Sequence, residues 1–307
     1  MSILIDSQTK DLKPWIEALK QSLPHEEIIT IEQLRDPEEV VTAVVWNHHP
    51  ELFKKIPNVK HIASLGAGVD HILNDPNLPE NVYITRIVSD YLSGPMSNYC
   101  IGAILYYNRK FDKYFSDKKN KIWDQEFDPE RHLTVGILGL GELGGTLARK
   151  LVNLDFRVHG LSTSRKHIPG VESYVTSELD DFLRSINLLV CMLPATRETE
   201  GILSYDLFSR MNKGSYLINV ARGEHQVDED IIRALDEGFL TGAFLDVFPE
   251  EPLPQNSPLW NHAKTIITPH IAVVTKINAA VPLIVENHNK VIFGEEPETL
   301  VDIKKGY

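Results

Sequence analysis

Cysteine is scarce: Cys100 and Cys191 are the two in 307 residues. No disulfide framework and no zinc-type cluster can be assembled from a pair, which suits a reducing compartment. Long apolar runs are missing as well. No uncharged stretch reaches the roughly 20 residues needed to span a bilayer. The opening run Met1–Asp6 is too short for a signal peptide and has no basic residue before it, so the expected location is cytoplasmic. Positive charge is in deficit: 31 Lys and Arg against 43 Asp and Glu leave a net charge of −12. Nucleic acid and anionic membranes are therefore poor partners, and an anionic cofactor would have to be held by local positive features. No repeat at a solenoid period and no low-complexity tract occurs. His48 and His49 are adjacent but lack an acidic or thiol partner at ligand spacing, so no metal is expected.

What the chain does have is length for two domains and one organising stretch, Leu133-Thr-Val-Gly-Ile-Leu-Gly-Leu-Gly-Glu-Leu-Gly-Gly145. An apolar run, Val135–Leu138, enters glycines at 139, 141 and 144. Leu143, Leu147, Leu151 and Leu154 follow at helical spacing. Strand, glycine turn and helix in that order read as a dinucleotide-binding unit. Gly139 permits the turn, Gly141 lets backbone approach a pyrophosphate, and Gly144 lets helix pack on strand. The helix dipole favours phosphate at its start.

Around this unit, strands are expected at Ile3–Ile5, Glu27–Ile31, Val41–Trp46, Lys60–Leu65 and Val82–Ile87, with a helix at Trp15–Leu23. Further strands are expected at Arg157–Leu161, Leu188–Met192, Ser215–Val220, Gly242–Val247 and Thr265–Thr268. Helices fit Glu178–Ser185, Tyr205–Met211, Glu229–Glu237, Asn278–Phe293 and one long helix over Ser97–Phe115. Lys113–Arg131 reads as a polar connection carrying Trp123 and Phe127, on the surface or at a subunit contact. Strands alternating with helices predict parallel sheets with helices on their faces. The fold class is α/β, with two doubly wound parallel-sheet domains.

Several features lie after strands, where open parallel sheets bind ligands. In Leu65-Gly-Ala-Gly-Val-Asp70, the Ala67 and Gly68 amides either bind a small carboxylate or merely turn the chain. Trp46 either covers a small substrate pocket or packs in the core. Arg222, before Gly223, offers a planar fork that matches a carboxylate and keeps its charge. Glu251 sits on the loop Asp246-Val-Phe-Pro-Glu-Glu251-Pro252, and His270 follows Pro269 at a strand end. The set suits reduction of a 2-oxo acid. Arg222 would bind the carboxylate and polarise the ketone, His270 would protonate the developing alkoxide, and Glu251 would hold the imidazole. The second strand of the dinucleotide unit ends in Ser162-Thr-Ser-Arg165-Lys166, with no acid where an NAD binder usually carries one. Hydroxyls and two cations suit a 2′-phosphate, so NADP(H) is preferred and NAD(H) possible.

These motifs, with Leu300–Tyr307, make the chain resemble the D-isomer-specific 2-hydroxyacid dehydrogenase family over nearly its whole length. Val45-Trp46, Ser162–Lys166, Ser257–Trp260 and Gly306-Tyr307 are most similar to its glyoxylate- and hydroxypyruvate-reducing members. Those commonly carry arginine where Thr163 stands.

The resemblance implies a flavodoxin-like substrate domain over residues 1–97 and 277–307, and a Rossmann NAD(P)-binding domain over 98–276. It implies Arg222, Glu251 and His270 as the catalytic residues. Cofactor contacts are expected from Gly139, Gly141, Glu142, Leu143, Gly144, Ser162, Thr163, Ser164, Arg165 and Lys166. They are expected also from Leu193, Pro194, Val220, Ala221 and Asp246. Substrate contacts are expected from Trp46, Ala67, Gly68, Arg222 and His270. The resemblance also implies a homodimer built through the cofactor domains. Other acids remain alternatives, among them phosphoglycerate, lactate and bulkier 2-oxo acids, as does a dinucleotide-sensing regulator. A phosphorylated substrate would call for cations near Trp46–Pro50 and Ala67–Asp70, where the sequence shows few.

Overall fold

The computed structural model of the protein describes residues 1–88, 90–125, 127–303 and 306. Its contacts divide the chain into two units, Met1–Leu92 with Val274–Tyr307, and Ser93–Val273.

In the first unit, five short strands form a parallel sheet. They are β1 (Ser2–Ser7), β2 (Glu27–Ile29), β3 (Val40–Trp46), β4 (His61–Ser64) and β5 (Tyr83–Thr85), in the order β2-β1-β3-β4-β5. That is the flavodoxin-like order. β1 and β4 are buried along almost their whole length, as expected of strands covered on both faces. Helix α1 (Lys13–Ser22) opens with Pro14 in its first turn and buries Trp15 and Leu19, one turn apart. α2 (Leu52–Lys55) and α3 (Asp70–Leu73) are single turns, and a returning helix, Ile277–Ile292, completes the unit. The tail comes back to β5, where the Val301 amide donates to the Ile84 carbonyl at 2.9 Å. Tyr307, part of the quoted tail motif, lies outside the described residues.

The second unit opens inside helix α4 (Asp90–Asn108), which is followed by α5 (Phe111–Asn120). Its seven strands are all parallel: β6 (Thr134–Leu138), β7 (Arg157–Ser162), β8 (Val171–Val175), β9 (Leu188–Cys191), β10 (Ser215–Asn219), β11 (Leu240–Leu245) and β12 (Thr265–Ile267). Their order is β12-β11-β10-β9-β6-β7-β8. Helix α6 (Glu142–Val152) joins β6 to β7, and α7 (Leu179–Ser185), α8 (Tyr205–Arg210) and α9 (Asp228–Asp236) join later strands. The order reverses between β6 and β9, the switch point at which such sheets hold nucleotides. Alternation along β9 divides the core. Leu188 and Val190 join α4 and α6 on one face, whereas Leu189 and Cys191 join α7, α8 and α9 on the other. Cys100 and Cys191 are free and buried, and desolvation pushes both thiols up to about 12.

Three local expectations change. The long helix expected over Ser97–Phe115 is two helices. Lys110 takes a left-handed φ of 57°, and Arg131 bonds the Tyr107 carbonyl and grips Asp112 at 2.8 and 2.9 Å, closing the end of α4. The expected connection from Lys113 therefore starts as helix α5. Strand β8 was missing from the sequence reading because it lies on the sheet edge, only partly buried, with Glu172 and Tyr174 interrupting its apolar residues. Leu154, expected on the α6 stripe, falls past the helix end and is exposed. No helix among the described residues is long and apolar enough to cross a membrane.

Candidate active site

The turn after β6 has the geometry its glycines suggested. Gly139 has a φ of +101°, and a Cβ there would stand 2.8 Å from the Met192 carbonyl oxygen at the switch point. A Cβ on Gly144 would stand 1.9 Å from the Gly139 carbonyl oxygen, so only glycine lets α6 start this close to β6. Around Gly141 the same test meets no atom of the described residues within 4 Å, leaving open space. The first bond inside α6 runs from the Gly145 amide to the Gly141 carbonyl. The helix therefore leaves the amides of Glu142, Leu143 and Gly144 to other acceptors. Open space beside a helix start with uncommitted amides fits a dinucleotide diphosphate.

At the end of β7, Ser162 is buried and its hydroxyl donates to the Ser164 carbonyl at 2.7 Å, shaping the turn. Thr163, Ser164, Arg165 and Lys166 are exposed. No acid follows the strand in this turn. Arg165 is not idle, however: its Nη2 donates to both Glu178 carboxylate oxygens, at 2.6 and 2.7 Å, and its Nη1 bonds the Ser173 carbonyl. A 2′-phosphate would draw that guanidinium from a carboxylate that already holds it. Leu193 and Pro194 are half-buried beyond β9, and Val220 and Ala221 are buried beyond β10.

Arg222, Glu251 and His270 follow three neighbouring strands, β10, β11 and β12. Arg222 donates to the Ala221 carbonyl at 2.7 Å. Its loop lies hard against the Glu251 loop, because a Cβ on Gly223 would meet the Phe248 carbonyl carbon at 1.9 Å. His270 and Glu251 are joined by a 2.7 Å bond from Nδ1 to Oε2. The other Glu251 oxygen accepts the Phe248 amide at 3.0 Å. Burial alone would raise the Glu251 carboxyl. The bonds from His270 and Phe248, with the charges of His270 and Arg222, outweigh it and hold the group below the usual carboxylate range. With Nδ1 so engaged, Nε2 is the ring atom left for chemistry.

His270 has a φ of 51°, rare for a side chain of its size. Its amide is held by the Asp246 carbonyl at 2.7 Å. The Asp246 carboxylate accepts from the Tyr99 and Thr268 hydroxyls at 3.0 and 2.6 Å. It also accepts from the amides of Ile271 and Ala272, at 3.0 and 2.8 Å. With 0% of its surface exposed and four donors on its carboxylate, Asp246 ties down the His270 loop from behind.

Trp46, Ala67 and Gly68 belong to the first unit. Trp46 is half-buried, lying over Gly66, where an added Cβ would be 2.4 Å from its ring, and 4.9 Å from the His71 ring. It walls the loop rather than filling the core. Ser64 shapes that loop, accepting from the Gly66 amide at 3.2 Å and donating to the Gly68 carbonyl at 2.7 Å. The Ala67 and Gly68 amides meet no internal acceptor among the described residues.

His225, Tyr99 and Thr268 were not anticipated. His225 is fully buried, accepting the Arg222 amide on Nδ1 at 3.2 Å and lying 3.1 Å from the Pro194 carbonyl through Nε2. Those partners require the neutral Nε2–H tautomer, and desolvation lowers its pKa accordingly. Thr268 enters the sequence reading only as part of the strand end before His270, and His225 and Tyr99 carry no motif, because their partners Pro194 and Asp246 lie far away in the chain. Among the described residues, no group of three or more His, Cys, Asp and Glu is placed to hold a metal.

Comparison with known proteins agrees with this geometry. Residues 101–272 match the family model for the NAD binding domain of D-isomer specific 2-hydroxyacid dehydrogenase. The chain is 37% identical over 317 residues to glyoxylate/hydroxypyruvate reductase A of Yersinia enterocolitica, with both proteins covered in full. The crystal structure of an NADPH-dependent glyoxylate/hydroxypyruvate reductase from Sinorhizobium meliloti, in complex with NADP and sulfate, aligns with a TM-score of 0.93. It is 35% identical and both chains are covered in full. A D-isomer specific 2-hydroxyacid dehydrogenase from Xanthobacter autotrophicus Py2, in complex with NADPH and MES, aligns with a TM-score of 0.93. Its identity is 33%, over 100% of this chain and 99% of that one. The chain belongs to the D-isomer specific 2-hydroxyacid dehydrogenase family of NAD(P)-dependent oxidoreductases.

Proposed function

We propose that the protein is an NADPH-dependent reductase of small 2-oxo acids, converting glyoxylate or hydroxypyruvate to the 2-hydroxy acid. The observation that carries this reading is the 2.7 Å Glu251–His270 pair, on the loop that abuts Arg222. The Gly139–Gly144 turn holds the diphosphate, and the Ser162–Lys166 turn takes the 2′-phosphate. Leu193, Pro194, Val220 and Ala221 border the dinucleotide. When bound, the reduced nicotinamide supplies a hydride to the ketone carbon. Arg222 binds the substrate carboxylate and polarises the ketone. His270, its Nδ1–H held by Glu251, gives the Nε2 proton to the developing alkoxide and is left neutral. In the opposite direction the neutral imidazole takes the hydroxyl proton. The Ala67 and Gly68 amides add donors to the carboxylate, and Trp46 walls the substrate.

The unit Ser93–Val273 is thus the dinucleotide domain. A homodimer through this domain is supported by its exposed aromatics: Phe111 and Phe115 stack near Tyr106, and Trp123 is 91% exposed. Two unpaired, buried cysteines suit a cytoplasmic setting.

The test is NADPH oxidation against a panel of 2-oxo acids, with NADH in parallel. Turnover of glyoxylate or hydroxypyruvate with NADPH favoured is expected. Tight NADPH binding with no turnover would favour a dinucleotide sensor.

A further inference from the structure

The first sheet ends in a small cluster around one indole. The Lys10 ammonium lies 4.8 Å from the Trp46 ring centroid. The same ring covers Gly66, the first residue of the loop whose Ala67 and Gly68 amides are open. Lys10 is placed by the turn after β1, where its amide donates to the Ser7 hydroxyl at 3.1 Å.

Its charge is not balanced locally. Nearby carboxylates are engaged elsewhere: Asp6 holds the His49 amide and ring at 2.7 and 2.8 Å, Asp75 holds His48 at 2.8 Å, and Asp11 accepts the Lys13 amide at 3.1 Å. Among the described residues Lys10 has no acidic partner. In a chain with 43 acids, an unbalanced, half-buried cation beside an anion-binding loop is unusual. Burial lowers its pKa, so the ammonium is held in a medium that penalises its charge. A ligand anion would relieve that penalty.

We propose that Lys10 reads a second anionic group on the substrate, so that 2-oxo acids with a distal carboxylate are favoured over uncharged analogues of equal length. This rests on the reading of Gly66–Gly68 as the loop that binds the first carboxylate. It alters the sequence-based picture of a pocket short of cations, because Lys10 lies 36 positions from Trp46 along the chain and only the fold brings them together.

The test uses the NADP⁺-loaded enzyme, which cannot reduce a ketone, and calorimetric Kd values for two four-carbon acids, oxaloacetate and 2-oxobutyrate. The wild type is expected to bind the diacid roughly tenfold or more tightly, the scale of one charge-assisted hydrogen bond. Lys10→Met should bring the ratio close to one. Lys10→Arg, which keeps the charge over the indole, should retain most of it, as a merely structural role for the lysine stem would not require. A wild-type ratio of one or less, no binding of the diacid, or an unchanged ratio in Lys10→Met overturns the proposal. Ala67→Pro removes one amide donor and reports on the loop separately. It should weaken both acids alike, and unchanged binding of both would remove the carboxylate-loop reading whatever the Lys10 ratio shows.

Discussion

Replacing Gly223 by alanine should disarm the enzyme without emptying the dinucleotide turn. The added Cβ would stand 1.9 Å from the Phe248 carbonyl carbon and 2.0 Å from its oxygen, whereas ordinary contact begins at 3.4 Å. The two backbones must therefore part by about 1.5 Å. Neither gives readily. The Gly223 carbonyl accepts the Gln226 amide at 2.9 Å, and the Phe248 amide is bonded to Glu251. Misplacing a positioned group by about 1 Å costs on the order of 100-fold in rate. Here the shift separates the Arg222 loop from the carboxylate that holds His270. We expect kcat for glyoxylate to fall by about 100-fold or more. Overpacking should also cost about 1–3 kcal/mol of stability, read as a drop of several degrees in Tm. NADPH binding, followed by cofactor fluorescence, should be largely retained because the Gly139–Gly144 turn follows a different strand. A variant with wild-type kcat and Tm would refute the argument that this contact sets the spacing. Equal loss of binding and turnover would show that the damage is not local to the proton-donor side.

Three further outcomes are expected. His270→Ala should lose about 100-fold or more of kcat, as for a missing general acid, with NADPH affinity nearly intact; parallel loss of affinity would count against a proton-donor role. Neutral replacement of Arg165 and Lys166 together should raise KM for NADPH roughly tenfold and leave KM for NADH much less changed, and an unaltered ratio would reject the 2′-phosphate site. The first unit should be acid-labile. His61, bonded to Thr85 at 2.8 Å and fully buried, is depressed by desolvation to about 3, with the charge of His288 adding to it. The unfolded chain then binds the extra proton below its ordinary pKa near 6.5. Stability is therefore complete above that pH, falls by about 2 kcal/mol by pH 5, and levels off near pH 3. Urea unfolding of His61→Gln should show a flatter slope between pH 7 and 5, and a slope equal to wild type would refute the assignment.

Much of the architecture could be read from the chain because its signals were local and repeated. Val135–Leu138, Leu188–Cys191 and Leu217–Ile218 are near-continuous apolar runs, the mark of strands buried on both faces. The glycine turn was legible since two of its glycines answer to a clash that any Cβ would cause. Arg222, Glu251 and His270 could be grouped because each follows a strand, at the edge where parallel sheets bind ligands, but that their strands are neighbours is seen only in the fold. Other features left no such trace. The break at Lys110 depends on Arg131, whose partners are Tyr107 and Asp112. The edge strand Val171–Val175 is too exposed to carry a clean pattern. The cofactor contact of Asp246 is what the family resemblance implies, whereas nothing in the sequence shows how its carboxylate is held. Its four donors come from Tyr99, Thr268, Ile271 and Ala272, and only folding brings Tyr99 to it. The Pro194 carbonyl beside His225 and the Trp46 ring beside Lys10 are likewise partners that appear in three dimensions alone.

The way His270 is fastened has a consequence for how such enzymes change. Its amide, its ring and the two residues after it are anchored by Asp246 and Glu251, and the Arg222 amide by His225, all within Ser93–Val273. The residues proposed to handle the proton are therefore self-supporting. Substitutions around Lys10, Trp46 and Ala67 belong to the other unit. On the proposed reading, drift there retunes which acid is accepted while the reactive core is inherited unaltered, so a lineage can diversify its diet without rebuilding its chemistry.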